Sequence, residues 1–163
     1  MNGIYILLGS NIGNRLEYLR EAEQLLIAEG IQIMDESTIY ETQPWGKENQ
    51  DWFLNVILQI EASQDPLALL ETLLKTEKSL GRIRKEKWGE RCIDIDILYY
   101  HDQRIELDNL KIPHPGIESR RFTLIPLTEM CPLEVHPING KNQLQMLAEC
   151  QDELACRLTD YKL

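Results

Sequence analysis

The stretch from Gly3 to Leu8 is apolar and ends at Gly9-Ser10-Asn11, the pattern of a short buried strand running into a turn. From about Arg15 to Glu29 the apolar positions Leu16, Leu19, Ala22 and Leu26 recur at helical spacing, with Asn14 placed to cap the start and Gly30 just past the end. Ile31, Ile33 and then Thr38 to Tyr40 read as a second strand, Gln43-Pro44-Trp45-Gly46-Lys47 as a loop, and Trp52 to Glu61 as a third strand. Asp65-Pro66 offers an N-cap and a proline at the first helical position, opening a helix that runs through Leu80 and stops at Gly81. Cys92 to Tyr100 is the fourth strand. The order β-α-β-β-α-β predicts an α+β fold, a ferredoxin-like split βαβ sandwich in which two helices cover one face of an antiparallel sheet. Prolines 113, 115, 126, 132 and 137 mark loops and short helices packed around it. The segment from Asn139 to Leu163 reads as an extension with a covering helix.

No repeat, low-complexity tract or Gly/Ser/Pro linker divides the chain, so one domain over residues 1–163 is expected. At 163 residues it can bury roughly two-thirds of its unfolded surface. A composition of 43% hydrophobic and 27% charged residues is that of a globular protein, and no apolar run approaches a membrane span. Ile4 to Leu8 is too short for the apolar part of a secretory signal and has no basic segment before it. The four cysteines form no C-x-x-C pair and have no histidine at zinc-finger spacing, so free thiols in a reducing cytoplasm are expected.

A formal net charge of -10 argues against a nucleic-acid partner, which requires a basic face. The basic residues are nevertheless clustered: Arg82, Arg84, Lys85, Lys87 and Arg91 are five of the seventeen Lys and Arg. They lead into Cys92-Ile93-Asp94-Ile95-Asp96, where strand alternation turns Asp94 and Asp96 to one face, roughly 7 Å apart, with Ile93, Ile95 and Ile97 behind them. Two aspartates on a half-exposed strand can simply face solvent. Beside a basic loop, the same pair suits hard divalent cations such as Mg2+ and a polyphosphate.

Further candidates surround this strand in the sequence. Glu77 falls in phase with Leu70, Leu73 and Leu80, which places a carboxylate on or beside a buried stripe, where it either reaches solvent or pairs with an arginine, or else orients Arg82, Arg84 or a metal-bound water. Pro44, Trp45 and Gly46 with Trp52, Phe53 and Asn55 bring aromatic rings and one amide together. Such a set builds either core or a stacking pocket for a flat heterocycle. Pro113-His114-Pro115, followed by Arg120 and Arg121, offers a second cationic group for phosphate. Gly9 to Asn14 lacks both the P-loop ending and the dinucleotide spacing. It reads as a turn and helix start that borders a ligand through Asn11.

Taken together these residues resemble the 6-hydroxymethyl-7,8-dihydropterin pyrophosphokinases of folate biosynthesis. The hallmark is carried by Lys87, Gly89, Glu90, Arg91, Asp94, Ile95, Asp96, Ile97 and Leu98. Leu8-Gly9-Ser10-Asn11, Tyr40-Glu41-Thr42, Phe53-Leu54-Asn55, Gly81-Arg82-Ile83-Arg84 and Pro113-His114-Pro115 extend the resemblance over roughly residues 3 to 135. It implies a ferredoxin-like fold and transfer of the terminal pyrophosphoryl group of ATP to the pterin hydroxymethyl oxygen, with release of AMP.

On the matching positions, the resemblance implies Asp94 and Asp96 as ligands of two Mg2+ ions, and Arg82, Arg91 and Asp96 as catalytic. It implies ATP contacts at Glu77, Arg84, Trp88, Arg91, Leu98, His114 and Arg120. The pterin contacts it implies are Thr42, Pro44, Trp45, Phe53, Asn55, Asp94 and Phe122. Gly116 and Leu74 depart from the basic residue and the glutamine that many or some relatives carry there. Asp96, or a water on the metal, is expected to take the hydroxyl proton, and the loops 43–51 and 82–91 to close over ATP and exclude water. A monomer free of nucleic acid and membrane is expected. A phosphotransferase of another family, releasing pyrophosphate or ADP, and a nucleotide-sensing module without chemistry are the alternative readings.

Overall fold

The structure is a computed structural model that describes residues 2–46, 49–82 and 90–163. Its main sheet has the spatial order β5-β1-β4-β3-β8, with β2 also paired to β4. The strands are β1 (Ile4–Ser10), β2 (Gln32–Glu36), β3 (Tyr40–Thr42), β4 (Phe53–Glu61), β5 (Asp94–Tyr100) and β8 (Cys156–Leu158). All of these pairings are antiparallel. A small hairpin, β6 (Ile105–Glu106) and β7 (Lys111–Ile112), stands apart. The helices are α1 (Arg15–Ala28), α2 (Pro66–Ser79), α3 (Arg121–Met130) and α4 (Gln143–Glu149). Taking β2 and β3 as one interrupted strand, the order is that of the expected ferredoxin-like split βαβ fold.

Strand alternation sorts the sheet into two faces. Ile4, Ile6 and Leu8 of β1, Leu54, Val56, Leu58 and Ile60 of β4, and Ile95 and Ile97 of β5 pack under α1 and α2, against Leu19, Ala22, Leu26, Leu69 and Leu73. The opposite face carries Tyr5 and Leu7, Ile57, Leu98 and Tyr99, closed by Leu124 and Leu127 of α3 and Met146 of α4. Leu98 and Tyr99 share that face because the register between β1 and β5 shifts beyond Ile6, adding one residue to β5.

Several boundaries differ from the sequence reading. The strand expected over residues 31–40 is two strands. Between them Ser37 places its hydroxyl where a carbonyl would be, and Ile57 N–H donates to Ser37 Oγ at 2.9 Å. Asp65 caps α2 as expected, accepting from the N–H groups of Leu67 and Ala68 at 3.0 and 2.9 Å. Asn14 makes no side-chain cap on α1. The strand β8, paired to β3, was not legible: its three residues Cys156-Arg157-Leu158 are too few to show a period. All four cysteines are free, with Cys92 and Cys131 buried. Among the described residues no helix is long and apolar enough to cross a membrane.

Candidate active site

On the face covered by α3 and α4, apolar side chains give way to polar ones at the end of the sheet formed by the end of β1 and the starts of β4 and β5. Gly9, Asn55 and Phe53, and Asp94 and Asp96 replace the Leu7, Ile57 and Leu98 found deeper on the same face. Gly9 is paired with Asn55 on one side and Asp94 on the other. Its lack of a side chain is what admits the neighbour, since a Cβ there would lie 2.7 Å from Asn55 Oδ1. Asn55 is 4% exposed and donates through Nδ2 to the Oγ1 of Thr42, itself 1% exposed, at 2.7 Å. That bond leaves the Asn55 carbonyl oxygen aimed over β1.

Asp94 is held by two arginines, one on each carboxylate oxygen. Arg82 Nη1 lies 2.5 Å from Oδ1, and Arg91 Nη1 pairs with Oδ2. Glu77, 3% exposed, pairs with Arg82 and accepts from the N–H of Ile95 at 2.9 Å. The carboxylate on the buried stripe of α2 therefore orients Arg82 and ties α2 to β5, one of the roles its phase allows. Among the described residues Asp96 makes no ion pair. Burial and, next, the charge of Asp94 push its carboxyl up to about 7, which is where an additional cation would act most strongly.

Three aromatic rings and an arginine complete the other side. The Arg120 guanidinium lies 4.7 Å from the Trp45 ring centroid and 5.9 Å from that of Phe122, while Arg91 lies 5.9 Å from that of Phe53. Arg120 Nε is buried with no hydrogen-bond partner among the described residues. Gly116 makes room for this side chain, because a Cβ there would fall 2.6 Å from Arg120 Cζ. His114 donates its backbone N–H to Leu98 O at 2.9 Å, and its Nδ1 accepts from Gly116 N–H at 3.0 Å. The ring is thereby left with its proton on Nε2. Burial, followed by the Arg120 charge, lowers its pKa to about 4. Pro44 is buried, and the Leu98 side chain sits in the second core at 1% exposure. Arg84 and Trp88 lie outside the described residues.

Two residues do more than the sequence reading assigned. Asn11, taken only as bordering a ligand, accepts from Arg91 N–H through Oδ1 at 2.8 Å and donates through Nδ2 to Asp51 O at 3.2 Å. It thus ties the arginine segment to the aromatic one. Arg15, unmarked in sequence, donates to Trp52 O at 2.6 Å and pairs with Glu41 at 2.8 Å. Its position in an ordinary amphipathic helix gave no signal.

The donor set suits Mg2+. Among the described residues no group of three or more His, Cys, Asp or Glu could hold a metal, so two carboxylates would leave most of the coordination shell to phosphate oxygens and water. Fold and site together define a ferredoxin-like protein with a pair of carboxylates on one strand face, flanked by arginines and a cluster of aromatic rings. The sequence profile of the 7,8-dihydro-6-hydroxymethylpterin-pyrophosphokinase family matches residues 5–132, and the chain belongs to that family.

Relatives named 2-amino-4-hydroxy-6-hydroxymethyldihydropteridine pyrophosphokinase include those of Aquifex aeolicus, 45% identical over 86% of this chain and 88% of its own, and Bacillus subtilis, 46% identical over 80% of each. The crystal structure of Plasmodium falciparum HPPK-DHPS with pteroate superimposes on 90% of this chain with a TM-score of 0.72 at 16% identity, a likeness of fold. This chain spans 44% of that longer protein.

Proposed function

We propose that Asp94 and Asp96 hold two Mg2+ ions against the phosphates of ATP, with the hydroxymethyl dihydropterin seated among Thr42, Pro44, Trp45, Phe53, Asn55, Asp94 and Phe122. The reaction is transfer of pyrophosphate from ATP to the 6-hydroxymethyl oxygen of 7,8-dihydropterin in folate biosynthesis, with AMP released. The observation that carries the assignment of residues is the Asp94–Asp96 pair, set at the open end of one sheet face with Arg82 and Arg91 on Asp94 and Arg120 opposite. What two Mg2+ ions supply when bound is neutralisation of the polyphosphate charge.

The chain's own groups do the rest. Arg82 and Arg91 offset charge on the transferring group. Glu77, Arg84, Trp88, Leu98, His114 and Arg120 form the nucleotide side: His114 offers a donor at Nε2, and Glu77 acts by orienting Arg82. Asp96 takes the proton of the hydroxymethyl group as its oxygen bonds to the β-phosphorus and the bond from that phosphorus to the AMP oxygen breaks. We also propose that residues 1–163 act as one domain, as a monomer, in the cytoplasm and without nucleic acid. Pairing of the C-terminal β8 with β3, four free thiols and the net charge of -10 support the domain, the compartment and the lack of a nucleic-acid partner.

Replacing Asp96 by Asn tests the assignment. Turnover to AMP should fall by at least about 100-fold, the low end for loss of a general base, while pterin affinity stays within about threefold. A variant with near-normal turnover removes Asp96 from this role.

A further inference from the structure

The C-terminal segment reaches back to both ends of the stretch from Gln43 to Trp52, which carries Pro44 and Trp45. At one end β8 pairs with β3 so that Cys156 faces Thr42. Just beyond that pair, Gln43 N–H donates to Ala155 O at 3.0 Å, and Ala155 N–H donates to Gln43 Oε1 at 2.7 Å. At the other end the Arg157 guanidinium lies 4.3 Å from the centroid of the Trp52 ring. Trp52 is held a second time through its backbone, whose oxygen accepts from Arg15 at 2.6 Å, and Arg15 in turn pairs with Glu41 of β3. Asp152 binds the N–H of Arg121, at the start of the helix that carries Phe122. One short run of chain thus touches three of the elements that carry the proposed pterin contacts: the end of β3, the 43–52 stretch and the start of α3.

We propose that Arg157 is a positioning residue for the pterin: through the Trp52 ring, and with Ala155 on Gln43, the last strand fixes the spacing of the two ends of the segment that carries Pro44 and Trp45. The inference rests on the proposed pterin site, and it gives the C-terminal extension a role outside the nucleotide side. The contact is electrostatic and directional, since a cation over an indole face is attracted at short range without a partner carboxylate. It works on the pocket from outside, because Arg157 is exposed and paired across the strand with Glu41, not with any residue that faces Asp94.

The test is a comparison of Michaelis constants in the full chain, with AMP as the product measured. Arg157→Ala should raise the KM for the hydroxymethyl dihydropterin by about three- to fivefold, the range of an exposed cation–π contact, and leave the KM for ATP and kcat within about twofold. Arg157→Lys keeps a cation for the ring and should restore the pterin KM to within about twofold. Gln43→Ala, which removes the acceptor for Ala155 N–H, should shift the pterin KM in the same direction as Arg157→Ala. An unchanged pterin KM in both Arg157→Ala and Gln43→Ala overturns the proposal, as does an equal rise in both Michaelis constants, the mark of a general structural defect. Absence of AMP from the unsubstituted protein strikes at the reaction itself and leaves the two failures distinguishable.

Discussion

At the scale of single residues, Asp94 and Asp96 share one strand face but not one environment. Asp94 has an arginine on each oxygen. Asp96, on the same strand face but without an ion pair among the described residues, is pushed up to about 7 by burial and by Asp94. His114 is drawn the opposite way, to about 4, so its imidazole is neutral across the physiological range. The sign follows: between the ordinary 6.5 and about 4 the unfolded chain takes up a proton at this position that the folded chain does not. Stability is therefore present above 6.5 and is lost as pH falls toward 4. Denaturant titrations at several pH values should show that loss, and His114→Gln should flatten it in this window. An NMR titration of the ligand-free protein should find the His114 ring still neutral at pH 5, and a midpoint near 6.5 would contradict the assignment.

At the scale of elements, α2 and β5 are joined by a carboxylate that serves the fold and the site at once. Glu77 satisfies the Ile95 N–H and orients Arg82, so Glu77→Ala should cost about 3 kcal/mol, because it leaves a buried donor unpaired and a buried guanidinium with one anion fewer. Glu77→Gln retains an acceptor for Ile95 and should cost less; equal midpoints for the two variants in urea would refute the shared role. The helical phase of Glu77 with Leu70 and Leu73 announced this residue, since a carboxylate on a buried stripe needs a partner, but not which arginine it would find. The long strands and the first two helices were legible for a related reason: each is long enough to show a period. The break at Ser37 was not, because a hydroxyl replacing a carbonyl in a ladder is a contact made across the sheet. Asn11 and Arg15 join segments some 40 to 80 positions apart, which no local pattern records.

At the scale of the molecule, the fold places chemistry where a helix layer stops. The α3 and α4 layer covers one end of a sheet face with apolar side chains and leaves the other end to Gly9, Asn55, Asp94 and Asp96, so the same alternation that builds the second core turns both carboxylates to that face. The Asp-Ile-Asp strand and its basic approach were visible in the sequence because they are adjacent there. The aromatic pocket was visible only as a composition, and its assembly against Arg120 came from the packing of residues 45, 116, 120 and 122. Pyrophosphoryl transfer by this chain is tested by 31P NMR of the protein with ATP, Mg2+ and 6-hydroxymethyl-7,8-dihydropterin. AMP and a diphosphate ester on the pterin should grow in equal amounts with the enzyme present. Formation of ADP with a monophosphate ester, or of free pyrophosphate, would rule that transfer out.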